Sequence, residues 1–173
     1  MRRTNNSYLS RKVPPRFEKT MPGTLLAAVG YVIDFRVTTI RRINPANMER
    51  VQIKMEELFK SSPAMLYQFI TDPACLVRWF SDEADVEGPN YEFTWNGAVE
   101  TATLVETDEE SRIRFKWDDA DDPDEYLEFR MYKAGVTDQT VLEVHDFCDD
   151  DEVDDSRKLW TSQLKQLRQE IGG

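Results

Sequence analysis

The stretch VDDSRKLWTSQLKQLRQEI, residues 153–171, decides the fold. Val153, Trp160, Leu164, Leu167 and Ile171 fall at helical spacing, giving one apolar stripe along about five turns. Six acids within residues 149–155 occupy its start, where anions meet the helix dipole favourably, and Lys158, Lys165 and Arg168 come later. A helix with a single apolar side needs a surface to lie on, so the preceding residues must supply one.

What precedes it reads as strands. Thr140 to Phe147 forms the last of them, and Leu127, Phe129 and Met131 mark another after the acidic loop DDADDPDE. Ile113, Phe115 and Trp117 alternate with Arg112, Arg114 and Lys116, the period-2 pattern of a strand with one buried face. Tyr91, Phe93 and Trp95 alternate in the same way and run into Asn96-Gly97, where both residues tolerate positive φ. That dipeptide predicts a tight hairpin with a return strand from Ala98 to Glu106. Nearer the start, Val51, Ile53 and Met55 alternate with Gln52, Lys54 and Glu56.

Between the first strand and the hairpins lies PAMLYQFITDPACLVRWF, residues 63–80. Ser62 suits an N-cap and Pro63 a first helical position. Met65, Leu66, Phe69 and Ile70 share one helical face. Thr71-Asp72-Pro73 ends that helix and opens a second, because proline cannot continue the hydrogen-bond ladder but fits a new first turn. Leu76, Trp79 and Phe80 form the apolar side of the second helix. The predicted order is strand, two short helices, about six antiparallel strands and one long C-terminal helix. That order argues for an α+β fold in which a curved sheet wraps around the helix.

Length and charge bound the rest. The 173 residues suit one domain and can bury a core without disulfides or metal. Residues 1–47 carry nine Lys and Arg against two acids, a net of +7, leaving 13 against 31 and a net of −18 for the remainder. So acidic a body repels phosphate backbones, which argues against nucleic-acid binding. The basic arm, residues 1–47, reads as disordered. Its apolar run TLLAAVGYVI, residues 24–33, is far short of the ~20 residues that cross a bilayer. A basic flank before an apolar run has the look of a targeting segment, and Met48, where the charge changes sign, is an alternative start that would make the arm an upstream-start artefact. A real tail is the third reading. The body is expected to begin at residue 48. Cys75 and Cys148 are too few for a disulfide scaffold and read as reduced thiols of a cytoplasmic protein.

Several features together resemble a known family: Ser62-Pro63, Thr71-Asp72-Pro73 with Leu76 and Trp79-Phe80, Tyr91 to Trp95, Arg114 to Trp117, and Asp146-Phe147 ahead of Leu159-Trp160. Over residues ~50–171 the chain resembles the START-like helix-grip fold, also called the Bet v 1-like or SRPBCC superfamily. It looks most similar to the branch related to the C-terminal domain of the heat-shock-protein-90 ATPase activator, and to small uncharacterised START-like proteins of Bacteroidetes-type bacteria. The resemblance implies that the two short helices form a V-shaped support hinged at Asp72-Pro73, and that the long helix packs in the concave face of the sheet.

It also implies a cup that can hold a small hydrophobic ligand. The expected lining is Trp79, Phe80, Trp95, Phe115, Trp117, Phe129, Met131, Leu142, Trp160 and Leu164, with Asp146 as a polar anchor or, alternatively, a turn or cap residue. The same bulk could instead fill the cup as solid core. His145 alternates to the other face and reads as a solvated strand residue. His145 and Cys148 have the spacing of a metal half-site, but two further ligands are not apparent, so no metal or cofactor is expected. The acidic loops, residues 118–125 and 149–155, lack the spacing of an EF-hand and read as solvated. No nucleophile elbow, phosphate loop or dinucleotide motif is present. The expected function is a non-enzymatic module for a small hydrophobic ligand. The alternative is a co-chaperone-like domain with a protein partner. An enzyme of the cyclase or hydrolase kind would have to rely on Asp146, Tyr126 or Tyr132.

Overall fold

The computed structural model describes residues 50–120, 122–135 and 137–172. The arm expected over residues 1–47, with Met48, lies outside the described residues. Strand β1 (Arg50–Phe59) is followed by helices α1 (Pro63–Thr71) and α2 (Pro73–Leu76). Strands β2 (Glu83–Glu87), β3 (Asn90–Trp95), β4 (Ala98–Asp108), β5 (Arg112–Trp117), β6 (Leu127–Lys133) and β7 (Thr140–Asp149) come next. A 3₁₀ turn at Asp150–Glu152 then leads into helix α3 (Val153–Glu170). The α+β expectation holds. The strand not located by its alternation is β2, whose EADVE sequence buries only Ala84 and Val86 in part.

All strands pair antiparallel in the order β1-β7-β6-β5-β4-β3-β2. Six strands are thus a meander, and β1 closes on the last of them. Asn96 (φ 49°) and Gly97 (φ 81°) both adopt the positive φ that the two-residue hairpin needs, which fixes Trp95 opposite Ala98 and Phe93 opposite Glu100. The β4–β5 register slips between Leu104 and Glu106, a bulge of the kind that bends a sheet. The sheet curves around α3, which lies in its concave face.

Local chemistry sets the V of short helices. Ser62 Oγ accepts from Met65 N at 3.2 Å. Asp72 serves both helices: its N–H donates to Gln68 O at the end of α1, and its Oδ1 accepts from Ala74 N at 2.8 Å to cap α2. Inside the cup, Trp160, Leu164 and Leu167 of α3 are buried, with Val153 and Ile171 partly so. They meet a row of strand residues that includes Ile53, Phe93, Phe115, Phe129, Leu142 and Val144.

The convex face is charged yet only partly solvated. Glu128 is fully buried, and its carboxylate accepts from Arg112 Nε (2.7 Å), Arg114 Nε (2.9 Å) and Arg130 Nε (2.6 Å). Glu143, also buried, pairs with Lys54 Nζ at 2.8 Å. Two sequence expectations are corrected here. His145 does face outward, but its side chain is 13% exposed; its Nε2 lies 2.6 Å from Glu143 Oε1, two residues earlier on the same face of β7, and Glu128 of β6 lies 3.8 Å from its Nδ1. The acidic loop is not wholly solvated either, since Glu125 is buried under two 2.6 Å bonds from Arg50.

Burial alone would push the carboxyl groups of Glu128 and Glu143 up. For Glu128 the three arginines outweigh it and hold the carboxyl below the usual range; for Glu143, Lys54 and His145 do the same. A lowered carboxyl pKa stabilises the fold above the unfolded value of about 4.3, and the gain is lost as pH falls through the folded values. The stability difference between wild type and Glu128→Gln in urea melts should therefore be level from pH 7 to 5 and shrink as pH drops below about 4.3. In the core, Leu164→Ala should lower the unfolding free energy at pH 7 by about 2–5 kcal/mol, since it opens a cavity between α3 and the sheet.

Candidate functional site

Among the described residues, buried side chains fill much of the cup. Where α3 begins there is a recess of about 40 Å³, lined by Phe80, Trp95, Trp117 and Trp160 together with Arg50, Glu100, Asp146, Glu152 and Gln163, among others. Its walls come from the exit of α2, the ends of β3 and β5, the end of β7 and the first turns of α3. Phe80 sits at its inner side. Its ring is 5.0 Å from Phe93, 5.4 Å from Trp95 and 6.2 Å from Trp160, centroid to centroid. Phe80 and Trp160 are nearly parallel (28°), while Trp95 and Trp117 are tilted 53° to each other. Rings in several planes thus surround one small space.

Buried indoles need acceptors for their N–H groups. Trp160 Nε1 donates to Asp146 Oδ2 at 3.0 Å, and Trp95 Nε1 donates to Phe80 O at 2.7 Å. Trp79 Nε1 donates to Phe69 O at 2.9 Å. Asp146 also accepts from Phe147 N at 2.9 Å. It therefore points inward from β7, as strand alternation required, and ties the last strand to α3.

Of the residues expected to line a cavity, Phe80, Trp95, Trp117, Asp146 and Trp160 border the recess. Trp79, Phe115, Phe129, Met131, Leu142 and Leu164 are buried in the packed core away from it. Sequence reasoning missed Arg50, Glu100 and Glu152. For Glu100 a signal existed: the Asn96-Gly97 hairpin places it opposite Phe93, on the inward face with Ala98 and Ala102. Arg50 is held by Glu125 and by Asp149 (3.2 Å), both outside the lining. Burial, together with the charges of Asp149 and Asp151, pushes the Glu152 carboxyl up.

The remaining candidates fall elsewhere. Tyr126 accepts from Gln52 Nε2 at 3.0 Å with Arg114 over its ring at 4.1 Å, and Tyr132 is exposed; both belong to the convex face. His145 and Cys148 sit on opposite faces of β7, with Cys148 at the recess, and the two cysteines are buried and unlinked. Burial pushes the Cys148 thiol up, against a hydrogen bond from Ser156. Among the described residues no group of three or more His, Cys, Asp or Glu side chains could hold a metal ion. No described helix is long and apolar enough to cross a membrane. A second, open groove of about 670 Å³ runs past Glu57, Leu58 and Arg168 at the edge of β1, with Arg168 bonded to Glu57 and to Leu58 O.

Comparison with known proteins follows this geometry. The family model described as "START-like superfamily domain" matches residues 47–173. The protein BfR322 of Bacteroides fragilis, solved by solution NMR, is 32% identical, with 70% of this chain and 91% of that one covered and a TM-score of 0.52. The Aha1 dimer from Colwellia psychrerythraea is 18% identical over 70% of this chain and 96% of that one, with a TM-score of 0.59. CalU16 from Micromonospora echinospora is 23% identical over 74% and 78%, with a TM-score of 0.53. The last two likenesses show the fold alone. No curated protein matches the sequence. The family model covers the sheet, the V of short helices and α3 alike, and the chain belongs to the START-like superfamily.

Proposed function

We propose that the chain is a non-enzymatic START-like module that binds a small ligand, or the apolar end of a larger one, at the recess where α3 begins. One observation carries the reading: four buried aromatic side chains and several polar ones line one recess in the cup. Sites for small molecules combine apolar walls with a few placed polar groups. The size restricts the ligand. A recess of about 40 Å³ accommodates a water-scale group, whereas drug-sized pockets run to roughly 300–1,000 Å³. A bulkier ligand enters only if the first turns of α3 move off the sheet.

The filled interior supports a second reading, a co-chaperone-like interaction domain, since a solid cup leaves the outer surface as the working part. The likeness to the Aha1 dimer is compatible with it at the level of fold.

The two readings part in one experiment. Trp95, Trp117 and Trp160 make the recess self-reporting, so 1-hexanol should produce a saturable change in tryptophan fluorescence, with matching heat in calorimetry. Ser156 is buried and lines the recess. Filling it with Ser156→Leu should weaken binding at least tenfold while far-ultraviolet circular dichroism stays unchanged, and the distant Leu58→Ser should bind as wild type does. A flat titration, or equal binding by Ser156→Leu, would overturn the ligand reading. Stimulated ATP turnover by a purified heat-shock-protein-90-class chaperone would then favour the second.

A further inference from the structure

We propose that residues 31–40 pair antiparallel with the outer edge of β1, as an eighth strand of the sheet. The inference concerns that edge and is independent of the ligand reading.

The two edges of the sheet differ. β2 is five residues long and carries Glu83, Asp85 and Glu87, and a short, charged strand is a poor template for further pairing. β1 has ten residues, holds an unbroken register with β7 and contains no proline. Leu58 O points away from β7, since it accepts from Arg168 Nη2 at 2.9 Å. Alternation along an antiparallel strand sends the N–H and C=O of Gln52, Lys54 and Glu56 to the same outer side. Among the described residues Arg168 meets this edge at its far end, and no hydrogen bond reaches the backbone edge at residues 52–56. On the α3 side, Val51 and Met55 flank the buried Ile53 and are themselves only partly covered. A long, regular edge with apolar surface beside it calls for a cover.

The chain just ahead of β1 has the matching pattern. Residues 31–40, YVIDFRVTTI, lie outside the described residues. Eight of these ten are β-branched or aromatic, the composition that favours a strand over a helix. Ile33, Phe35 and Val37 alternate with Asp34 and Arg36. The nine residues 41–49 join the stretch to Arg50, and Asn44-Pro45 among them is a turn signal. So short a connection brings the stretch alongside β1 by turning back, which makes the pairing antiparallel. With odd positions beside odd ones, Ile33, Phe35 and Val37 join Val51, Ile53 and Met55 on the α3 side. Asp34 and Arg36 then join Lys54 and Glu56 on the convex side. A one-residue slip would turn both charges toward the helix. The net charge of +7 on residues 1–47 against −18 on the remainder favours the contact. Alone, the stretch has no face to bury; the edge of β1 supplies one, together with partners for its backbone.

The test is NMR of the full 173-residue chain. Cross-strand NOEs should join residues 33–37 to residues 51–55. The N–H groups of Gln52, Lys54 and Glu56 should exchange about tenfold slower than in the Phe35→Pro/Arg36→Pro double variant, which removes an N–H whichever of the two points at β1. The amides of Phe129 and Val144, inside the sheet, should exchange alike in both proteins and so report that the variant is folded. The NOEs decide alone if it is not. Absent NOEs, unprotected amides in the wild type, or protection that survives the double variant would overturn the proposal. So would protection that is lost on dilution, which cover by a second copy requires.

Discussion

The Trp160 side chain holds the molecule together at the point where its three parts meet. Its ring stacks on Phe80, which leaves the V of short helices, and stands edge-on to Phe129 at 5.9 Å, in the middle of the sheet. Its N–H is bound by Asp146 on the last strand. The other indoles solve a related problem. Trp79 and Trp95 donate to the carbonyls of Phe69 and Phe80, which lie in the last turn of α1 and just beyond α2. The end of a helix leaves carbonyls without partners, and a buried indole leaves a donor without one. At Phe69 each supplies what the other lacks, so Trp79 both packs in the core and locks the end of α1.

The sheet keeps its two faces chemically apart. The concave face is carbon except at its rim. The convex face carries buried carboxylates with close partners: three arginines on Glu128, and Lys54 on Glu143, which also lies beside the His145 ring. Such pairs stabilise little relative to a hydrophobic replacement, but removing one partner leaves a buried charge unanswered. They disfavour a one-residue slip of strand register, because that would turn Glu128 and Glu143 into the aromatic core. The charged face therefore specifies the register that the apolar face uses.

Much of this was legible in the sequence. The stripe on α3, the capping at Ser62, the break at Asp72-Pro73, the Asn96-Gly97 hairpin and the alternation of β3 and β5 are local signals, and each element formed where its signal lay. The strand β2 was not located because EADVE offers two small apolar residues among acids and is recruited by β3 alone. Glu125 was misread as solvated because it is covered by Arg50, 75 residues away, which no local pattern encodes, and His145 because its cover includes Glu128 on the adjacent strand as well as Glu143 two residues before it. For the site, alternation put the right residues inside but could not separate the ones that fill the cup from the ones that border its gap. That distinction depends on where α3 starts along the sheet.

The position of the gap follows from the same constraint. Along most of the cup, opposing rows of large side chains close the space between helix and sheet. At the start of α3 the helix is still arriving, and beside Trp95 and Trp117 the strands present the polar Glu100 and Asp146. A carboxylate at such a position keeps the space from behaving as a dry void, because its oxygens require donors. Asp146 takes one from Trp160 and one from the Phe147 N–H, so the indole that seals the cup also depends on the charge at its rim.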